Sequence, residues 1–443
     1  SSGGPWSIFL LRVRLMSFSL RSRHFLSQWI TALLPAVPPR SRATFVELLC
    51  ACLVSPEGWV TRAIGSIWRR CHWTTYYKLI ERGSVRSVPL ARAMLSLVQS
   101  VLPLQTLNLV IDDTLALRHS PDAPGSAVRH DHANKTNRPD FVQAQCWVTL
   151  GVSVLGHGNA KLVLPVLSRM VPNTGNRNKL TIALALLRVL APVLTVPTRL
   201  LCDSWFMRAR LVLPLLSRGI QVIAQARIDT ALFLLPDVAG KSGRGRPRKY
   251  GQRLTAEAIA DLPTTELSLA LHGKTQKLRI RSAVTLARFL KGAPVRAVWC
   301  EFYDDKKQTW AKPRLLLATE THLAATAILE LYARRWGIEP LFHNLKRWWG
   351  IANLWQQSRS ALETWMQIRS TAWTLAQLLA LAVDEAFPLR EVAPWREGHP
   401  LTAGLVAQWL RIEFTGLAFR DGFDPKSQKF NFPGQRGDPR LSP

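Results

Sequence analysis

Hydrophobic positions change their period several times along the chain. From Met16 to about Leu104 apolar residues recur every three or four positions, as on amphipathic helices. Ser41 is a candidate cap for Arg42–Leu53, and Pro56 and Gly58 close that helix. Val60–Arg70 and Thr74–Glu81 form a second pair ending at Gly83, and Pro89–Leu102 is a further helix. The middle pair, with Arg69, Arg70, Lys78 and Arg82, reads equally as a helix-turn-helix or as a small bundle with a solvated basic face. Short apolar runs then alternate with helical ones. Thr106–Ile111 is a strand running into Asp112-Asp113-Thr114. Cys146–Leu155 and Lys161–Met170 are strands joined by Gly156-His157-Gly158-Asn159. Asn178–Leu190 is a helix, Arg199–Cys202 a short strand ending at Asp203, Trp205–Ser217 a helix and Ile220–Ile228 a strand.

Short early connections predict antiparallel neighbours, and the later helical crossovers demand parallel ones. The expected fold is therefore α/β, a mixed sheet with helices on its faces in the ribonuclease H-like layout. After Ile228 the alternation breaks. Asp237–Gln252 is polar and rich in Gly, Arg and Lys, and residues 265–318 read as β-structure. Helix resumes near Leu323 and continues through the 340s. Another helix, Ser360–Phe387, stops at Pro388, and residues 401–412 are weakly helical. Phe423–Pro443, rich in Pro, Gly, Lys and Arg, is expected to be disordered or draped. The expected division is 1–15 as an upstream or non-native segment before Met16, and 16–104 as a helical DNA-binding domain. The core is 105–228 plus 323–350, interrupted by a β-rich insertion with a basic linker at 229–322. A helical C-terminal region with a basic tail spans 351–443.

Charge narrows the function. Lys and Arg number 58 against 29 for Asp and Glu, a formal net charge of +29. Such an excess repels itself unless a polyanion is the partner, which points to nucleic acid or an anionic membrane. The membrane is the weaker choice, because no run of about 18 apolar residues is free of charge. The most apolar run, Leu180–Val196, is broken by Arg188 and Pro192. The apolar segment within Ser1–Leu20 is too short for a signal-peptide core with its cleavage site. Six scattered cysteines without a CxxC pair read as free thiols of a reducing cytoplasm. His130 and His132 form an H-x-H pair with no third ligand in sight, so DNA contact or a solvated loop is the expectation.

The acids carry the candidate chemistry. Asp112 and Asp113 follow the first core strand, and Asp203 follows the fourth. Those strands are expected neighbours, so their ends can bring carboxylates toward a pair of hard divalent cations. Farther on, Tyr332, Arg335, Glu339 and Lys346 fall within roughly 60° of one another on an ideal helix of about 100° per residue. One face then joins a metal-holding carboxylate to two phosphate-holding cations and a phenol. A plain amphipathic helix with a charged solvated face fits the same residues, since Leu331, Ile338, Leu341, Phe342 and Leu345 supply an apolar side. Pro340 predicts a kink across Gly337–Pro340.

The spacing Tyr332-x2-Arg335-x3-Glu339-x6-Lys346 resembles the YREK signature of a large branch of bacterial insertion-sequence DDE transposases. Arg335-Trp336-Gly337-Ile338-Glu339, Asp113-Thr114 and Leu201-Cys202-Asp203 are similar to that branch as well, so the likeness covers roughly residues 105 to 350. It implies a ribonuclease H-like fold with a β-rich insertion between the second aspartate and the glutamate. It also implies two Mg²⁺ ions (Mn²⁺ as a substitute) on Asp113, Asp203 and Glu339. A homodimer on paired ends of double-stranded DNA and cut-and-paste chemistry in the bacterial cytoplasm, at the nucleoid, follow from the same likeness. Many members release the end through a DNA hairpin with a base flipped onto an aromatic of the insertion. Asp113 is chosen because it precedes Thr114. Asp112 stays open, since neighbours on a strand cannot face the same way. Trp310 is the candidate base-stacking residue, with packing as the alternative, and Trp348 and Trp349 are expected in the core. In Gly243–Lys249 the cations Arg244, Arg246, Arg248 and Lys249 fit either a narrow minor groove or a basic linker that meets phosphates without sequence preference. The rivals are a catalytically inactive DNA-binding derivative and another ribonuclease H-like nuclease.

Overall fold

The computed structural model describes residues 18–131, 136, 139–173, 178–236, 248–271, 273–383, 392–396, 399 and 401–433. Five helices open the chain: α1 (Phe18–Leu33), α2 (Arg42–Val54), α3 (Val60–Gly65), α4 (Trp73–Glu81) and α5 (Ser87–Val101). Helix α2 is buried at every position from Thr44 to Val54. Apart from Thr44 and Glu47 these positions are apolar on every face, the pattern of a helix enclosed on all sides.

The sheet follows with β1 (Leu107–Leu117), β2 (Ser126–His130), β3 (Phe141–Leu155) and β4 (Lys161–Met170). Then come α6 (Asn178–Leu190), β5 (Thr198–Cys202), α7 (Ala209–Leu216), β6 (Gln221–Ala226) and β7 (Leu232–Phe233). The segment after α8 (Ala256–Ala260) is β-rich: β8 (Thr265–Leu271), β9 (Lys274–Ala287), β10 (Ala293–Asp304), β11 (Thr309–Trp310) and β12 (Arg314–Ala318). The main path runs β2-β3-β1-β5-β6-β12-β10-β9-β7, with β4 on β3, β8 on β9 and β11 on β10. Strands β1, β3 and β4 pair antiparallel, whereas β1, β5 and β6 pair parallel across helical crossovers. This mixed sheet with flanking helices is the ribonuclease H-like architecture expected from the alternation.

Several local features differ from the expectation. Strand β1 passes through Asp112-Asp113-Thr114, because pairing with β3 continues to Leu117 opposite Ala144. The acid doublet therefore lies within a strand rather than at its end. Strand β2 pairs with β3 although its sequence, Ser-Ala-Val-Arg-His, carries little apolar alternation. Strand β12 pairs antiparallel with β6, so hydrogen bonding runs unbroken from the central strands into the β-rich segment. The helix expected from Trp205 starts at Ala209. Before it, Asp203 Oδ1 accepts the backbone N–H groups of Trp205 and Phe206 and folds the chain into a turn.

The C-terminal half closes over the core. Helices α9 (Ala325–Ala333) and α10 (Ile338–Trp348) are separated by a 3₁₀ turn, Arg334–Gly337. The break expected near Pro340 is present, and Pro340 itself sits in the first turn of α10, where its missing N–H costs no helical bond. Helix α11 (Arg359–Ala382) is buried along nearly its whole length and packs on α2, α5, β4 and α12 (Ala403–Phe414). The described part of the tail is not loose chain. β13 (Phe423–Asp424) and β14 (Lys429–Phe430) form a hairpin, Phe430 and Phe432 pack together, and Thr31 of α1 bonds the Phe430 backbone. Aromatic burial there outweighs the disorder-prone composition.

Candidate active site

Register brings the strand acids together. In the parallel β1–β5 pair Val110 lies opposite Leu201. Two residues further along both strands, that register sets Asp112 beside Asp203. Both carboxylates are held above the ordinary aspartate range. Burial is the main cause for Asp112, and the like charge of Asp203 adds to it, so its pKa is pushed up to about 7. Burial raises Asp203 as well, against the two N–H groups that favour its charged form.

The helix residues reach this end of the sheet because the 3₁₀ turn lies close on β4. A Cβ added at Gly337 would stand 2.9 Å from the Lys161 carbonyl oxygen, so a larger residue would lift the turn away. From this turn Arg335 donates to Asp112 Oδ2 at 3.0 Å and to Glu339 Oε1 at 3.0 Å. Burial works against the Arg335 charge, but Tyr332, Asp112 and Glu339 outweigh it and raise its pKa. Its guanidinium lies 5.8 Å from the Tyr332 ring centre. The Tyr332 hydroxyl faces Gln225 Oε1 at 3.5 Å, and burial pushes its pKa up to about 12. Lys346 Nζ, two turns further on, donates to Thr114 Oγ1 at 2.8 Å and the Leu115 carbonyl at 3.2 Å.

Asp113 points elsewhere, as strand alternation requires. Lys179 Nζ sits 2.7 Å from Asp113 Oδ2 and 5.1 Å from the Trp205 ring centre. Cys146 donates to the same oxygen at 3.3 Å. Asp113 and Asp203 still interact, since the charge of Asp113 helps raise Asp203. Among the described residues no three His, Cys, Asp or Glu side chains converge closely enough to hold one metal ion. Instead two cations, Arg335 and Lys179, hold oxygens of Asp112, Glu339 and Asp113.

The outer candidates fall into two groups. Arg244 and Arg246 lie outside the described residues, and Arg248 and Lys249 are exposed. Trp310 is partly buried against Tyr303, with Arg279 4.7 Å and Lys277 5.6 Å from its ring centre. Trp349 is fully buried as expected. Trp348 is not: it is 59% exposed, because it occupies the solvent side of the last turn of α10. His132 lies outside the described residues. Sequence reasoning missed Lys179, Trp205 and Gln225, which carry no spacing signature and acquire their places only when α6, the turn after β5, and β6 assemble around the acids.

The sheet order and the acids on its two central parallel strands define a ribonuclease H-like α/β domain with a carboxylate site. The chain matches the family model described as Transposase DDE domain over residues 109–375, and it belongs to that family. A comparison with curated proteins gives no match. The protein is thus a transposase, DNA is the substrate its family implies, and divalent metals are what the family generally uses. No helix among the described residues is long and apolar enough to cross a membrane.

Proposed function

We propose that the protein cleaves transposon ends and joins them to target DNA by metal-dependent phosphoryl transfer, as a member of the YREK branch. The observation that carries this reading is the Arg335 bridge, which joins an acid of β1 to the glutamate of α10 in the order the YREK spacing implies. The donor set fits a hard cation. It is made of carboxylate oxygens, and Asp113 and Asp203 repel each other in a way that a divalent ion relieves. Asp113, Asp203 and Glu339 are the proposed ligands. Bound Mg²⁺ supplies activation of the attacking oxygen and stabilisation of the leaving one. Arg335 and Lys346 exchange their protein acceptors for phosphate oxygens of the DNA, and Tyr332 steadies Arg335.

A second reading makes Asp112 the first ligand, because it lies beside Asp203 and shares Arg335 with Glu339. Separate Asp112→Asn and Asp113→Asn variants, assayed for end cleavage and for DNA binding, decide between them. The ligand's variant loses cleavage and keeps binding. Full cleavage by both variants removes β1 from the metal site and overturns the proposal. A homodimer on paired ends, a hairpin intermediate and residence at the nucleoid belong to the same reading. So do DNA contacts from the helical region 16–104, from Arg244, Arg246, Arg248, Lys249 and Trp310 of the β-rich segment 229–322, and from the region 351–443. The net charge of +29 supports these contacts.

A further inference from the structure

Near the start of β1, some four residues or about 13 Å along the strand from Asp112, lies a cavity of about 450 Å³. Its polar wall includes Asn108, Ser153 and Arg334, with Thr106 and His157, and apolar residues such as Leu102 and Leu155 make up most of the rest. That volume is in the range of small-ligand sites, and a mainly apolar wall with a few convergent polar groups is their usual make-up.

Ser153, Asn108 and Arg334 keep unused hydrogen-bonding capacity there. Ser153 is 2% exposed, and its Oγ has no hydrogen-bond partner among the described residues. Asn108 accepts from Arg199 through Oδ1, which leaves its amide nitrogen as a donor. Arg199 itself is satisfied by both carboxylate oxygens of Glu320. Arg334 is only half-buried, yet among the described residues it makes no ion pair and no side-chain hydrogen bond. Outside the lining, but near enough for the two charges to act on each other, Lys161 Nζ is buried without a partner among the described residues. Burial and the charge of Arg334 lower the Lys161 pKa, and burial and Arg199 lower that of Arg334. Glu330 opposes both shifts without forming an ion pair with either. Unpaired donors and cations are costly to enclose, so the convergence of Arg334, Ser153 and Asn108 on one cavity, with the Lys161 charge nearby, calls for an anion.

We infer that this cavity is a phosphate-binding site, in which Arg334, Ser153 and Asn108 donate to the oxygens and Lys161 supplies charge from outside the lining. The phosphate comes either from a DNA backbone passing the start of β1 or from a free nucleotide whose sugar lies on the leucines. The inference needs no metal and no cleavage step, so its failure leaves the catalytic reading standing, and the reverse holds too.

The test is thermal unfolding of the full-length protein with inorganic phosphate, at an ionic strength held constant with chloride. The midpoint is expected to rise saturably with phosphate. Arg334→Gln is expected to abolish the rise, and Ser153→Ala to weaken phosphate affinity by about tenfold, one charge-assisted hydrogen bond. Lys161→Gln is expected to raise the midpoint without phosphate and to shrink the response to it. No advantage of phosphate over chloride in the wild type, or an undiminished response in both Arg334→Gln and Ser153→Ala, overturns the site. Deoxyadenosine monophosphate and a random-sequence duplex separate the two sources. A backbone site is one where Arg334→Gln weakens duplex binding and reduces its salt slope by about one, while the mononucleotide binds no tighter than phosphate. A nucleotide site is one where the mononucleotide saturates at lower concentration than phosphate and duplex binding is unchanged.

Discussion

Arg335→Ala removes the cation that joins Asp112 of β1 to Glu339 of α10. The Asp112–Arg335 pair spans 3.0 Å, with side chains 18% and 16% exposed. Truncating one partner of so enclosed a pair costs about 3–5 kcal/mol. The contact with Glu339 adds little, because that carboxylate is 51% exposed and well screened. Protonation of Asp112 limits the loss. Its pKa is already pushed up to about 7, above its unfolded value, so the folded state binds the extra proton and stability falls as pH rises through that window. Without Arg335 the window extends upward, and the destabilisation should grow from mildly acidic to alkaline solution. Denaturant unfolding of Arg335→Ala, Asp112→Asn and the double variant measures this in metal-free buffer. A coupling of about 1–3 kcal/mol at alkaline pH is expected, with Asp112→Asn relieving most of the Arg335→Ala loss. Additivity within about 0.5 kcal/mol would show that the bridge does not govern the site. End cleavage by Arg335→Ala should fall by about a hundredfold to a thousandfold and should not recover with extra Mg²⁺, since the lost function is phosphate positioning rather than metal affinity.

Lys179 neutralises Asp113 where the proposed metal would bind, so Lys179→Met should unfold at lower temperature than the wild type without Mg²⁺ and gain more from Mg²⁺ addition. An equal Mg²⁺ response in both proteins would dissociate Lys179 from the metal site. Glu47 is fully buried and accepts from Tyr76, Arg420 and the Arg70 backbone. Glu47→Ala should therefore cost about 3 kcal/mol in chemical unfolding, and a loss near zero would mean that the network relaxes around the gap. DNA binding should weaken with salt at a slope of about −0.9 per neutralised phosphate; a flat response would place the basic residues away from the interface.

The sheet was legible because its strands are apolar runs bounded by turn residues and separated by a helical period. The parallel β1–β5 pair followed from the crossover rule, and with it the approach of Asp203 to the acid doublet. The break before α10 was legible in Pro340. Other features depend on tertiary packing that local pattern does not encode. Strand β1 continues past its acids because β3 offers partners as far as Ala144, and nothing local to Asp112-Asp113-Thr114 signals that. Lys179 lies some sixty residues from Asp113 and meets it only across the folded sheet. Trp348 and Trp349 look alike in sequence, yet one faces solvent and the other bonds the Arg369 backbone in the core. The unpaired donors around Arg334 are invisible in sequence, because what distinguishes them is the partners they lack. The C-terminal hairpin shows that phenylalanines can order a segment whose Pro, Gly and Lys content reads as loose.

The most direct test of the central claim incubates the purified protein with duplexes made from the DNA on either side of its gene, searched for a pair of inverted repeats, with and without Mg²⁺. Cuts are expected at the repeat end only when Mg²⁺ or Mn²⁺ is present. Asp203→Ala and Glu339→Ala should each bind the duplex and leave it intact. Metal-independent cutting, or cutting by either variant at the wild-type rate, would contradict it.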